Sequence, residues 1–239
     1  GSSLDEYYSL SGSYVKGVSP VNFPGRLELS AYLNSSVNVN DNNSVSRPPS
    51  SAQIGINYRR RDLLAPFLLS TELFSHINSF VNSADTGTTN EEILFQYGAL
   101  ASISSPYIAK GKGKSNILIP KASVSFNGQD NDILGDYFIG ADELSWGNIY
   151  SGKKVMSLSE SETGNSISIG LENHIRWKTG ELLEIAFAAS KIDSLTYLPT
   201  VSQGLTSGKV NYLGKFFYKT RNDNILSANT LFSSKGQLL

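Results

Sequence analysis

An all-β fold is predicted: an antiparallel up-and-down transmembrane β-barrel, or a segment of one. Three observations predict it. Short segments alternate apolar and polar residues with a period of two. Gly, Asn, Asp and Pro punctuate them, and no long helical period appears. The cleanest alternation, Arg26–Asn40, outruns the strands of a small sandwich. It suits a tilted membrane strand of about 9–11 residues with an extension.

In chain order, Asp5–Lys16 is the first expected strand, with Tyr7, Tyr8 and Tyr14 near its ends. Ser19-Pro20 and Phe23-Pro24-Gly25 turn the chain. In Arg26–Asn40, Leu27, Leu29, Ala31, Leu33, Val37 and Val39 share one face, and Arg26, Glu28, Ser30, Tyr32 and Asn34 share the other. A polar loop follows at 40–51, with Pro48-Pro49. Ala52, Ile54, Ile56 and Tyr58 alternate next, and the charged cluster Arg59-Arg60-Arg61-Asp62 follows as a solvated strand end or turn, or as a basic rim or lumen patch that meets phosphate or acidic sugar. Leu64–Val81 is apolar without a clear period and reads as two short strands or a bulged one. A loop at 82–90 leads to a strand at Ile93–Ile103.

Lys110–Ser115 reads as a basic flexible turn before a strand at Asn116–Phe126. Pro120 has no N–H for a ladder and is expected at a bulge or unpaired position. An acidic loop is expected at 127–136, then Tyr137–Ile139. In the strand that runs to Trp177, Ile167, Ile169, Leu171 and Ile175 face one way and Ser168, Glu172, His174 and Arg176 the other. Thr179-Gly180 turns, and Leu183, Ile185, Phe187 and Ala189 form the next apolar face. After a loop at 191–207, Val210, Tyr212, Phe216 and Tyr218 alternate with Lys209, Asn211, Lys215 and Lys219; Leu213 and Phe217 break that polar face. Asn222-Asp223-Asn224 turns into a last strand, Ile225–Phe232. The expectation is ten to twelve strands joined mostly as hairpins, in one domain spanning 1–239 with no linker and no fixed-period repeat.

Composition bounds the partners. Lys+Arg number 20 and Asp+Glu 21, a formal net charge of −1, so no basic field invites nucleic acid. There is no cysteine, which removes disulfides and thiolate metal sites. The longest apolar run, Leu63–Leu69, is broken by Pro66 and falls short of the roughly 18 residues of a membrane helix. The chain opens without a signal peptide and ends Gln-Leu-Leu, without the terminal aromatic common in outer-membrane barrels; both ends lead to the expectation of a fragment.

Alternation alone also fits a soluble sandwich. Aromatics near expected strand ends (Tyr14, Tyr58, Phe126, Trp177, Tyr218) and full charges in mid-strand (Glu28, Glu172, Arg176) favour a barrel with a wet interior. Enzyme chemistry finds no support. Gly113-Lys114-Ser115 resembles the end of a phosphate loop, but Ile108 stands where the loop needs its first Gly. Asp130-Asn131-Asp132 lacks the spacing and closing Glu of a calcium loop. His76 and His174 are too far apart in sequence for a metal pair, and no Ser is marked as a nucleophile. No catalytic residue, metal or cofactor is expected.

The stretch Leu144–Leu171 carries a family resemblance. Leu144, Asn148, Tyr150, Ser151 and Gly152, then Glu162, Gly164, Gly170 and Leu171, fit the loop-to-strand pattern of the outer-membrane lipopolysaccharide-assembly protein, also called the organic-solvent-tolerance protein. Ser159, Glu160, Ser166 and Ile169 depart from it, standing where that family has Asp, Arg, Arg and Tyr, and extra sequence follows Gly152. The pattern covers under thirty residues. The resemblance implies part of a C-terminal barrel in the cell outer membrane of a Gram-negative envelope. It implies transport without covalent chemistry. Lipopolysaccharide would arrive on periplasmic bridge proteins, pass its sugars through a polar interior plugged by an outer-membrane lipoprotein, and release its acyl chains sideways into membrane lipid. On that reading Arg26, Glu28, Glu172, His174 and Arg176 line the path, and the 144–152 motif shapes a loop that folds over or into the barrel. A generic porin-like barrel and a soluble all-β binding domain are the alternatives.

Overall fold

The computed structural model describes residues 6–19, 24–39, 45–46, 50–83, 89–130, 144–152, 164–193 and 208–232. Among them every regular element is a strand: β1 (Glu6–Val18), β2 (Arg26–Val39), β3 (Val45–Ser46), β4 (Ser50–Leu64), β5 (Phe67–Ser83), β6 (Thr89–Ser104), β7 (Tyr107–Gly111), β8 (Lys114–Gln129), β9 (Gly164–Trp177), β10 (Leu182–Ile192), β11 (Val210–Lys219) and β12 (Ile225–Phe232). All join one antiparallel sheet in the order β1-β2-β4-β5-β6-β8-β9-β10-β11-β12, with β3 on β2 and β7 on β8. The sheet is open. β1 and β12 are its edges and do not pair with each other. No described helix is long and apolar enough to cross a membrane.

The period-two pattern reaches the structure, and burial runs opposite to that of a water-soluble core. On β9, Ile167, Ile169 and Leu171 are 51%, 56% and 45% exposed, while Ser166 and Ser168 on the opposite face are 5% and 1% exposed. The register carries this across the sheet. Ser168 stands opposite Ser123 and Ser190, and Ile169 opposite Ala122 and Ala189. One face therefore gathers Gln53, Asn78, Gln96, Ser125 and Asn211; the other presents Leu33, Ile54, Ile77, Phe126 and Phe187. The polar face, called inner below, is the buried one.

Connections alternate between the two ends of the sheet. One end has two-residue turns at Ala65-Pro66 and Lys112-Gly113, four residues at 178–181, five at 220–224 and seven at 19–25. The other end has 40–49 with β3 inside it, 84–88, seventeen residues at 193–209 and thirty-four at 130–163.

Several expectations are corrected. Leu64–Val81 is neither bulged nor two short strands. Its start is a hairpin tip at Ala65-Pro66, and β5 then runs unbroken through seventeen residues. Arg59–Asp62 lies inside β4, not at its end. Asn127–Gln129 extend β8, Asn82 and Ser83 extend β5, Thr89 and Asn90 open β6, and Lys191 and Ile192 extend β10, where loops were expected. Tyr14 and Tyr58 sit within their strands. Lys110–Ser115 is a tight hairpin, its turn made at Lys112-Gly113 where Gly113 has φ 98°. Pro120 keeps its register with Leu171, and its carbonyl accepts the Ser105 N–H at 3.2 Å. The strand assignment lapses at Ser105 and Pro106, between β6 and β7, on the side where Pro120 lacks an N–H to give. The loop expectations at 40–44, 47–49, 84–88, 131–143, 153–163 and 194–207 lie outside the described residues, and with them Tyr137–Ile139, Ser159, Glu160 and Glu162.

Candidate functional site

The segment Leu144–Gly152 leaves the strand pattern and packs on the inner face. Its local order begins at Asn148. The Asn148 Oδ1 accepts the Ser145 N–H at 2.7 Å, and the Asn148 N–H donates to the Ser145 carbonyl at 3.2 Å. The Ile149 N–H donates to that carbonyl too, at 2.9 Å. Ser151 closes the next turn, donating from its N–H at 2.9 Å and its hydroxyl at 2.7 Å to the Asn148 carbonyl. An Asx side chain that replaces a backbone partner in this way makes a compact turn without a helix.

These turns aim Leu144 (3% exposed) and Ile149 (0%) at the sheet. They meet Ala188, Ile192 and Leu213, with Trp146, Tyr150 and Leu231 around them. This is the main apolar cluster on the inner face, and it explains why Leu213 breaks the polar pattern of β11. Gly152 is fixed from the other side: its carbonyl accepts the Asn127 Nδ2 at 2.8 Å, and a Cβ on it would stand 3.2 Å from Phe74.

Tyr150 is the pivot. Its hydroxyl sits over Gly170, where a Cβ would approach it to 2.0 Å, and finds no hydrogen-bond partner among the described residues. Burial, with the Glu172 carboxylate adding to it, pushes the phenol above the usual tyrosine range. Lys121 Nζ lies 5.6 Å from the ring centroid, within cation–π reach. Tyr150 and Gly170, far apart in the stretch 144–171, are thus one contact.

Below this contact the charged groups form a chain across β8, β9, β10 and β11. Lys121 donates to Glu172 at 2.7 Å, Glu172 meets His174 Nε2 at 3.4 Å, His174 Nδ1 meets Glu184 at 3.3 Å, and Lys215 donates to Glu184 at 2.8 Å. Glu172, His174 and Glu184 each hold two neighbours, which lowers the ordering cost per contact.

The other half of the inner face, β1 to β5, is open beside the segment. A cavity of about 800 Å³ is lined there by Ser13, Ser30, Gln53, Glu72 and His76, with Asn148 and Ser151 on the segment side. Glu72 accepts from Asn57 at 2.6 Å and pairs with Arg59 at 3.1 Å; Gln53, Asn78 and Gln96 are chained at 2.6 and 3.1 Å. His76 stacks on Phe74 at 5.6 Å and covers Gly55.

Arg26, Glu28, Glu172, His174 and Arg176 all stand on the inner face by register. They fall into two groups with β4, β5, β6 and β8 between them. Arg26 and Glu28 pair at 3.6 Å beside the cavity. Glu172 and His174 belong to the four-strand chain, and Arg176 is exposed near the end of β9. Gly164 has φ 85°, a conformation that favours glycine, and Leu171 lies on the apolar face. Sequence reasoning missed Lys121, Glu184 and Lys215 as partners of the predicted group, and Ile149 as the anchor. The one available signal was Leu213. No protein-family model matches the chain, and no curated protein matches it.

Proposed function

We propose that this chain is part of an outer-membrane barrel that assembles lipopolysaccharide into the outer leaflet, a transport element with no covalent step of its own. The single observation that carries the reading is the inverted sheet: aliphatic side chains exposed on one face, Ser, Asn and Gln buried on the other beside part-buried charged pairs. In water each half-exposed Leu or Ile forgoes about 1 kcal/mol that an apolar phase would return. A bilayer returns it without a second layer of protein. Short turns at one end and long connections at the other support the same reading, since outer-membrane barrels are built that way. The open edges at β1 and β12 suit a segment whose remaining strands complete the wall.

The assembly role, as against a generic pore, is supported by the motif segment 144–152 seated on the polar face. Acyl chains lose about 0.8 kcal/mol per CH₂ on entering water, so they travel along an apolar phase while sugars and phosphates follow polar groups. The two inner-face groups, Arg26–Glu28 and Glu172–His174, offer that polar track.

Detergent-dependent folding, read as heat-modifiable gel migration, tests the barrel. A compact, heat-sensitive band should appear only with detergent or lipid. A sharp thermal transition of a soluble monomer in plain buffer would refute both membrane insertion and transport. In a bilayer folding titration, Ala31→Arg on the apolar face should cost about 2–4 kcal/mol near the midplane. Depletion of the protein should then lower surface lipopolysaccharide.

A further inference from the structure

We infer that the short-turn end of the sheet carries a basic collar that docks on anionic lipid head groups of the adjoining leaflet. The inference rests on the membrane reading above and adds to it an orientation and a lipid preference.

Arg61, Lys110, Lys112, Lys114, Arg176 and Lys178 lie at or beside three of the short turns. All six are exposed, and none is in an ion pair among the described residues. Two acids at this end are held by other cations: Asp62 by Arg60 at 2.8 Å and Asp223 by Lys219 at 2.7 Å. Glu181, which accepts from Thr179, leaves one acid against the six cations. The uncompensated charge there is positive. The opposite end has the reverse sign in its sequence: 130–143 holds Asp130, Asp132, Asp136, Asp142 and Glu143 and no Lys or Arg. A net charge of −1 for the whole chain hides this separation.

Geometry selects the occupant. The six cations are spread over three neighbouring hairpins and none lines the 800 Å³ cavity, so a single free phosphate cannot engage them together. A plane of phosphate head groups can. The apolar face also continues up to the collar: Leu64, Phe67 and Tyr107 are 58%, 42% and 54% exposed at this end, and Trp177 stands opposite Lys114. Aliphatic surface, then aromatic rings, then cations is the order in which a bilayer presents hydrocarbon, interface and head groups. Each basic residue at an anionic surface strengthens association about fivefold, and salt weakens it within a Debye length.

The test is partition of the full chain into vesicles of phosphatidylcholine alone and with one quarter phosphatidylglycerol, at low and high salt. Anionic lipid should strengthen partition by about tenfold or more, and high salt should remove the gain. The triple variant Lys110→Gln, Lys112→Gln, Lys114→Gln should lose most of that gain; the corresponding Lys→Arg variant should keep it. Lys153→Gln with Lys154→Gln, on the long connection, should leave it unchanged. Equal partition into both lipids, or a triple Gln variant that still responds, overturns the collar while the barrel stands. A chain that enters neither bilayer overturns both.

Discussion

The two halves of the inner face share a pattern and differ in what covers them. Across β1 to β5 the polar side chains border an open cavity. Across β8 to β12 they are sealed: Ser168 and Ser190 are each 1% exposed and bond each other at 2.8 Å, and Asn211 is 0% exposed. The covered half carries more interruptions, with Ala186, Ala188, Ile192, Leu213 and Leu231 among its polar residues, against Phe74 in the open half. Those interruptions match Leu144 and Ile149 of the segment above. The inner face becomes a seat where it is seeded with small and aliphatic residues.

The strongest way to break this comparison is one substitution made in both halves. Ser168→Arg puts a charge into the sealed half, opposite Ser123 and Ser190. It should cost about 3–5 kcal/mol in denaturant unfolding. Ser30→Arg lines the open cavity and should be nearly neutral in the same titration. Equal costs would mean that the halves do not differ in access to water.

Next in size is the seat itself. Ile149→Ala removes the fully buried anchor of the segment and should cost about 2–5 kcal/mol of docking free energy. Hydrogen exchange or limited proteolysis should report it as lost protection at 144–152, with β2, β4 and β5 unchanged. Loss of protection throughout the sheet would instead make the segment part of the global core. Smaller again is Gly170→Ala. Its Cβ would meet the Tyr150 hydroxyl at 2.0 Å, the Phe187 carbonyl at 2.8 Å and the Ala188 Cβ at 2.9 Å. A cost of about 1–3 kcal/mol is expected from overpacking, read again at the segment.

The sequence carried the sheet well because each strand writes its own pattern. Ile167 to Leu171 alternate without knowing their neighbours, and Thr179-Gly180 and Asn222–Asn224 use turn residues with a known mechanism. The hairpin at Ala65-Pro66 escaped because its flanks, Leu63, Leu64, Phe67 and Leu68, are apolar on both sides of the turn, so no polar punctuation marks it. The site was less legible. Lys121, Glu172, Glu184 and Lys215 come together only when four strands take their register, and no spacing along the chain encodes that. Tyr150 meets Gly170 across the eleven residues 153–163, which lie outside the described residues. Leu213 was visible as an exception in a polar face; its meaning depended on the segment that covers it.

The finest test of the sealed half is Tyr150→Phe. The lost hydroxyl is buried and unpartnered, so its removal leaves no orphaned acceptor and should change docking by less than about 1 kcal/mol, in the stabilising direction. It should also recover part of the Gly170→Ala cost, because the atom that the new methyl would strike is gone; a double-mutant cycle measures that coupling. The pH dependence separates this from general loosening. Burial raises the Tyr150 pKa above its unfolded value, so the docked state favours the neutral phenol. Its contribution is complete below the ordinary tyrosine pKa of about 10 and is lost as pH climbs from there toward the raised folded value. Protection at 144–152 should therefore fall in strong alkali in the natural chain and hold over the same range in Tyr150→Phe. An identical alkaline loss in both proteins would assign the effect to other groups and remove Tyr150 as the pivot.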